Sequence, residues 1–187
     1  QGTYERTIII ITSDHGEEFG EHKNFLHDEG HLYEEILHIP LIIANHTKGK
    51  SKNLVSLIDL APTIAQLASI KIPRAFEGKS LFGETNNEYI LGMGCKHRRE
   101  YIETGYENVP KNIACRTYKY KLIYSEATGD YELYDLEKDP NEKINLFQDE
   151  KQSEIVRRMQ NKVVEYRKKI ECDRTLRSAL KKLKTKL

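Results

Sequence analysis

The residues best suited to chemistry in this 187-residue sequence lie close to its beginning. Asp14 is followed directly by His15 and Gly16, and more carboxylates and imidazoles follow soon after. An aspartate beside a histidine offers a hard oxygen and an imidazole nitrogen to one cation, and a glycine next to them lets the backbone bend so that both side chains converge. The pattern indicates a divalent-metal site. The alternative is a solvated, histidine-rich turn with an ordinary capping role.

The element that must position this pair is a short strand just before it. Residues 7–12 form a continuous β-branched run without alternation, which is typical of a parallel strand buried on both faces. The polar segment after it predicts a loop at the carboxyl end of the strand, where open α/β sheets bind ligands. A second apolar strand is expected over 41–44, and a helix over 58–70 with Asp59 as its N-cap. We therefore expect an α/β fold with flanking helices.

The second half of the chain has a different pattern. Segments 89–93, 113–124 and 131–136 are rich in tyrosine and β-branched residues, which predicts strands. A Thr-Gly-Asp turn at 128–130 predicts that the last two pair as an antiparallel hairpin. From about residue 150, apolar residues recur every three to four positions, which predicts a helix. The expected organisation is an α/β core over 1–87, a small antiparallel β subdomain over 88–149 and a basic C-terminal helix over 150–187.

Composition and motifs exclude several classes of protein. No apolar run approaches the roughly 18 residues that span a bilayer, and no phosphate-binding glycine loop or nucleic-acid motif is found, so no nucleic-acid partner is expected. Cys95, Cys115 and Cys172 are widely spaced and form no CxxC motif, which indicates free thiols rather than a disulfide framework or a zinc ribbon. The N-terminus lacks a signal-peptide pattern, so a cytoplasmic location is slightly favoured.

The basic charge of the chain is concentrated at its end. Residues 151–187 contain thirteen Lys or Arg and four Asp or Glu, a net charge of +9, whereas residues 1–150 carry −8. In the last fourteen residues four leucines recur at helical spacing among lysines. That pattern could anchor a helix on an anionic membrane, but a short leucine stripe without aromatic residues is a weak anchor. We expect the leucines to pack on the protein itself and the tail to make no membrane contact.

Five blocks of the sequence, in the right order, resemble the second half of the sulfatase family, within the alkaline phosphatase superfamily. The blocks are residues 13–22 (Ser-Asp-His-Gly-Glu-Glu-Phe-Gly-Glu-His), 32–42, 57–63, 76–81 and 132–140. The resemblance implies a partial alkaline phosphatase-like sheet, and a metal-dependent hydrolase that cleaves sulfate esters or related phosphate or phosphonate esters. The alternative is a catalytically inactive sulfatase-like remnant that serves as an interaction module.

The resemblance also implies roles for individual residues. It makes Asp14 and His15 ligands of the active-site metal, with calcium favoured and manganese or magnesium as alternatives. In relatives of the Ser-Asp-His-Gly type, a lysine thirteen residues after the metal-binding aspartate contacts the sulfate or phosphate, and the ungapped count from Asp14 reaches His27. His27 is therefore the predicted catalytic and substrate-binding residue, because a protonated imidazole can hold an anionic oxygen or protonate a leaving alkoxide. His31 is the alternative substrate-binding residue, since loop lengths vary here.

The resemblance also identifies what the chain lacks. The family's nucleophile lies in an N-terminal Cys/Ser-x-Pro-x-Arg block, where it is oxidised to formylglycine in sulfatases, and an N-terminal aspartate pair completes the metal site. None of the three cysteines here is followed by that pattern. Two ligands fall short of the six or more oxygens that calcium takes. We therefore expect a truncated fragment, inactive alone, whose partners are the N-terminal part of the same enzyme and a small anionic ester such as a sulfated sugar.

Overall fold

A computed structural model describes residues 2–26, 30–83, 87–95 and 111–184 of the chain. The chain divides into two compact units, which are Gln1–His27 with Glu35–Ile90, and Asp28–Glu34 with Leu91–Leu187. The predicted α/β class is confirmed, with a small antiparallel four-stranded sheet and a C-terminal helix. The predicted three-part division of the chain stays a prediction.

The first unit contains two pairs of short antiparallel strands. Strand β1 (Ile9–Thr12) pairs with β4 (Leu41–Ala44), and β2 (Glu18–Phe19) pairs with β3 (Phe25–Leu26). The expectation of a parallel strand buried on both faces differs from this arrangement. The cross-strand partners Ile11 and Ile42 are 53% and 55% exposed. A pair of strands cannot cover both of its own faces, so an apolar run without alternation leaves isoleucines on the surface of the described part of the chain.

Two helices follow in the first part of the chain. Helix α1 (Glu34–Leu37) is a single turn, and α2 (Leu60–Leu67) follows a 3₁₀ turn at Leu57–Asp59. The predicted helix over 58–70 is therefore shorter than expected. Asp59 is buried, and its carboxylate accepts hydrogen bonds from the backbone N–H groups of Ser56 (2.9 Å) and Lys79 (2.8 Å). Instead of capping α2 with its side chain, Asp59 fastens the 76–81 turn beside the start of that helix.

The second unit is built around one antiparallel sheet. The strand order is β5 (Ile90–Cys95), β6 (Lys111–Arg116), β7 (Tyr120–Ser125) and β8 (Tyr131–Asp135). The predicted hairpin is confirmed as β7 and β8, and Gly129 adopts a φ of 77° in its turn. The single strand predicted over 113–124 is instead two strands, β6 and β7. The Thr117 hydroxyl accepts the Tyr120 N–H at 2.9 Å, which stabilises the turn between them.

The long C-terminal helix α3 (Ser153–Lys184) packs its first half on this sheet. Met159 and Val163 are buried on it, and the sheet contributes Cys115, Leu122 and Leu133, each fully buried. This shared apolar layer is the core of the second unit. Within the described residues, no helix has both the length and the hydropathy needed to cross a membrane.

Candidate functional site

The predicted metal-binding pair lies directly after β1, as the sequence indicates. The Asp14 side chain is 89% exposed and the His15 side chain 38% exposed, and His15 Nε2 lies 3.8 Å from Asp14 Oδ2. The backbone N–H of His15 also donates to Asp14 Oδ1 at 3.2 Å. The carboxylate and the imidazole therefore lie side by side at the end of the strand, where both can address one cation.

A short hydrogen bond orients the imidazole. His15 Nδ1 lies 2.8 Å from the carbonyl oxygen of Gly16. Since a carbonyl oxygen only accepts, this bond assigns a proton to Nδ1, and in the neutral ring the lone pair is then on Nε2, the nitrogen that faces Asp14. Metal-binding histidines commonly have their other ring nitrogen held in this way. The arrangement thus presents the tautomer that a metal requires.

Gly16 fixes the turn against helix α1. Its N–H donates to the carbonyl oxygen of Ile36 at 2.9 Å. A Cβ atom at this position would lie 1.9 Å from the carbonyl oxygen of Glu35, far inside van der Waals contact. Only glycine allows this approach of two backbones, so the residue after the predicted metal-binding pair is set by packing as well as by flexibility.

The loop that follows the pair makes a second link to α1. His22 Nδ1 lies 3.6 Å from Glu35 Oε2, and these side chains are only 12% and 14% exposed. Glu18, between the pair and His22, is fully buried. The segment after Asp14 and His15 is therefore packed polar structure, although the sequence alone would suggest an open loop.

Of the two histidines predicted to bind the substrate, the structure describes only one. His27 lies outside the described residues, so its role stays a prediction. His31 is described, belongs to the second unit and is partly buried, with its ring centroid 6.1 Å from that of Tyr33. Its role as the alternative substrate-binding residue also stays a prediction.

Sequence reasoning missed a cluster of buried charged side chains that includes Glu34, three residues after His31. The Glu34 carboxylate accepts hydrogen bonds from Arg116 Nη2 at 2.9 Å and from Lys121 Nζ at 3.1 Å. Lys121 also pairs with Glu142 at 2.7 Å, and both of these side chains are fully buried. These partners are separated by many residues, so no local spacing could have revealed them. The available signal was a lysine in the middle of a tyrosine-rich strand, which is rarely buried without a partner.

The pKa values of the two carboxylates in this cluster are shifted in opposite directions. Burial alone would raise the pKa of Glu34, but the hydrogen bonds and charges of Arg116 and Lys121 outweigh it and hold that pKa below its usual value. Burial raises the pKa of Glu142, and Lys121 offsets only part of that shift. Glu34 is therefore the carboxylate whose charge the fold stabilises.

Asp14 and His15 fit a divalent cation in donor type, since calcium, manganese and magnesium all accept carboxylate oxygen and the transition metals also accept imidazole. Across the described residues, no group of three or more His, Cys, Asp or Glu side chains converges on a common metal position. Two donors cannot complete a coordination sphere of six. This part of the chain can therefore supply part of a metal site.

Comparison with known proteins gives one consistent family. The family model for the C-terminal region of N-sulphoglucosamine sulphohydrolase matches residues 20–169. The chain is 33% identical over 170 residues to the uncharacterized sulfatase YidJ of Escherichia coli K12, covering 89% of this chain and 33% of that protein. It is 32% identical over 154 residues to an N-acetylglucosamine-6-O-sulfatase of Bacteroides thetaiotaomicron, covering 78% of this chain and 27% of that protein.

The fold is shared with solved structures. The solved structure of a 2-O GAG sulfatase superposes with a TM-score of 0.78 at 24% identity, covering 92% of this chain and 38% of that one. The chain spans about a third of the length of the curated relatives it matches. Because the family model covers most of its residues, the chain belongs to the sulfatase family and corresponds to the C-terminal portion of its members.

Proposed function

We propose that the full-length protein containing this chain is a metal-dependent hydrolase of sulfate esters, with sulfated sugars as substrates. The observation that carries the proposal is the Asp14–His15 pair at the end of β1, with the His15 tautomer set by Gly16, in a chain of the sulfatase family. The relative described as an N-acetylglucosamine-6-O-sulfatase supports the sugar class.

The metal-side residues have defined tasks in this proposal. Asp14 contributes carboxylate oxygen and His15 contributes Nε2 to a cation, for which calcium is proposed first and manganese or magnesium second. A bound divalent cation supplies Lewis-acid stabilisation of charge and activation of a nucleophile. Gly16 keeps the two ligands in register by letting the turn rest on α1.

The substrate-side task falls to His27, with His31 as the alternative. A protonated imidazole here holds a sulfate oxygen as the bond from sulfur to the leaving oxygen breaks, and can pass its proton to that oxygen. The N-terminal part of the same protein supplies the nucleophile, a formylglycine in this proposal, and the remaining metal ligands. The 187-residue chain alone therefore binds metal weakly and turns over little or no ester.

The test uses the full-length protein, with sulfate release from 6-O-sulfated N-acetylglucosamine measured by ion chromatography and metal content by mass spectrometry. Asp14→Ala should abolish both sulfate release and stoichiometric metal. His27→Ala should lower the rate at near-normal metal content. Asp130→Ala is the matched control, since Asp130 is an exposed aspartate in the turn between β7 and β8 and should leave both measurements unchanged.

The outcomes separate the competing possibilities. Full activity and metal content in Asp14→Ala would refute the metal-site assignment. A full-length protein that releases no sulfate yet hydrolyses a phosphate or phosphonate ester would keep the hydrolase and change its anion. No turnover of any of these esters, with no bound metal, would indicate the inactive interaction module.

A further inference from the structure

The four-stranded sheet of the second unit binds a short segment from much earlier in the chain through hydrogen bonds. Residues 28–34 belong to this unit, although they follow directly on the metal-side loop in sequence. Gly30 is buried, and its carbonyl oxygen accepts a hydrogen bond of 2.6 Å from Nδ2 of Asn112 on β6. Asn112 is itself only 7% exposed. One end of the segment is thus fixed to the first residues of a central strand.

The other end of the segment is held through both backbone and side chain. The N–H of Glu34 donates to Glu142 Oε2 at 2.6 Å, while the Glu34 carboxylate is held by Arg116 and Lys121. Nε of Arg116 also reaches both Glu34 oxygens, at 3.1 and 3.2 Å, so the guanidinium engages that carboxylate through two of its nitrogens. A guanidinium that meets a carboxylate through two nitrogens fixes orientation as well as distance.

A third contact to the sheet lies between these two ends. The Tyr33 hydroxyl donates to Glu132 Oε2 at 3.1 Å, and Tyr134 of β8 donates to the same oxygen at 2.8 Å. Burial first, and then the charge of Glu132 and its hydrogen bonds, raise the pKa of both phenols above the usual value, so both hydroxyls are firmly held as donors. His31 therefore lies in a stretch of chain whose neighbours at Gly30, Tyr33 and Glu34 are all fixed to one sheet.

The use of buried charged side chains indicates that they position the segment, rather than only stabilise the fold. Burying charges costs solvation energy, and well-packed apolar residues often give equal or greater stability than a buried ion pair. A network of two cations and two carboxylates, in which Arg116 and Lys121 both reach the Glu34 carboxylate and Glu142 accepts the Glu34 N–H, specifies a position for that segment. We propose that the sheet β6–β8 positions residues 30–34, the segment that carries His31, with Asn112 and Tyr33 as positioning residues. This inference rests on the proposed function, in which His31 is the alternative residue that binds the anionic group of the ester.

The experiment uses the full-length protein and Asn112→Asp, which keeps the size of the side chain but replaces the donor to Gly30 with an acceptor. Asn87→Asp is the matched control, because Asn87 Nδ2 donates to the carbonyl oxygen of Leu54 at 3.1 Å in the first unit. The measurements are kcat and KM for the sulfated sugar, inhibition by inorganic sulfate, metal content, and amide hydrogen exchange of the peptide over residues 28–34.

We expect Asn112→Asp to lower kcat/KM and to raise the inhibition constant for sulfate, each about tenfold, because a displacement near 1 Å can cost up to about a hundredfold in rate. Metal content should be unchanged, and exchange should rise in the 28–34 peptide. Asn87→Asp should leave kcat/KM and sulfate inhibition as they are.

A second matched pair covers the case in which Asn112→Asp does not fold. Tyr33→Phe and Tyr134→Phe remove hydroxyls that donate to the same Glu132 oxygen, but only Tyr33 belongs to the segment. Tyr33→Phe should weaken sulfate inhibition more than Tyr134→Phe does. Unchanged sulfate inhibition in both Asn112→Asp and Tyr33→Phe, with Asp14→Ala inactive, would overturn the positioning role alone. An active, metal-replete Asp14→Ala would instead overturn the proposed function.

Discussion

Gly16→Ala is the sharpest perturbation of the metal-side turn. The new Cβ would lie 1.9 Å from the carbonyl oxygen of Glu35, whereas ordinary contacts begin at 3.4 Å. The turn and α1 must therefore separate by about 1.5 Å, the difference between these two distances. Such overpacking costs about 1–3 kcal/mol, and losing the hydrogen bond from Gly16 to Ile36 adds about 1 kcal/mol.

The functional cost follows from the same displacement. Gly16 adjoins His15, and its carbonyl oxygen accepts a hydrogen bond from His15 Nδ1, so a shift of this size moves the proposed ligand and weakens the bond that sets its tautomer. A misplacement of about 1 Å can lower turnover about a hundredfold. We expect Gly16→Ala to lower metal affinity and kcat/KM by at least about tenfold, measured by calorimetric metal titration and steady-state kinetics.

Gly78→Ala is the matched control for this prediction. Its Cβ would lie 2.0 Å from the carbonyl oxygen and 2.4 Å from the carbonyl carbon of Ile58, so the clash is at least as severe but occurs at the turn beside α2. Gly78→Ala should lose at least as much free energy of unfolding as Gly16→Ala, measured by urea denaturation, while only Gly16→Ala should lose metal affinity. A loss of stability with normal metal affinity in Gly16→Ala would refute the reasoning that the contact with α1 positions the proposed ligands.

Two further predictions concern buried groups in the second unit. Cys115 and Cys95 are buried and Cys172 is exposed, and burial raises the pKa of Cys115 to about 12. A thiol reagent at pH 8 should therefore label Cys172 rapidly and leave Cys115 and Cys95 unreacted until the protein unfolds. Rapid labelling of all three cysteines would contradict this burial. The Glu34 pKa lies below its usual 4.5, so its stabilisation is present above that pH and is lost as the pH falls through the lowered value. Glu34→Gln should therefore cost about 3 kcal/mol at pH 7, and urea denaturation should show the difference shrinking below pH 4.5.

The elements that sequence reasoning located are those with strong local signals. The β-branched run before Asp14 marks β1, and the Thr-Gly-Asp turn marks the β7–β8 hairpin because Gly129 can adopt the positive φ that the turn requires. The helical spacing after residue 150 marks α3. Each signal lies within a few residues of the feature it predicts, so no knowledge of the tertiary structure was needed.

The features that sequence reasoning missed depend on contacts between distant residues. Glu34 meets Lys121 across 87 positions, and Asn112 meets Gly30 across 82. The tyrosine-rich strand around Lys121 is a local signal of its burial, but it does not identify the partners, because the carboxylates come from other parts of the chain. The division of 113–124 into two strands was missed for a different, local reason, since a threonine hydroxyl makes that turn without the usual glycine or proline.

The proposed metal-binding residues and the segment around His31 are therefore held by different physical means, each within its own unit. Asp14 and His15 are positioned by neighbours in sequence and by one close backbone approach, so their geometry depends on steric fit at Gly16. The segment around His31 is positioned by hydrogen bonds and charges from β6, β7 and β8, so its geometry depends on long-range burial. A change of ionic state in the buried cluster should act on anion binding, and a change of volume at Gly16 should act on metal binding.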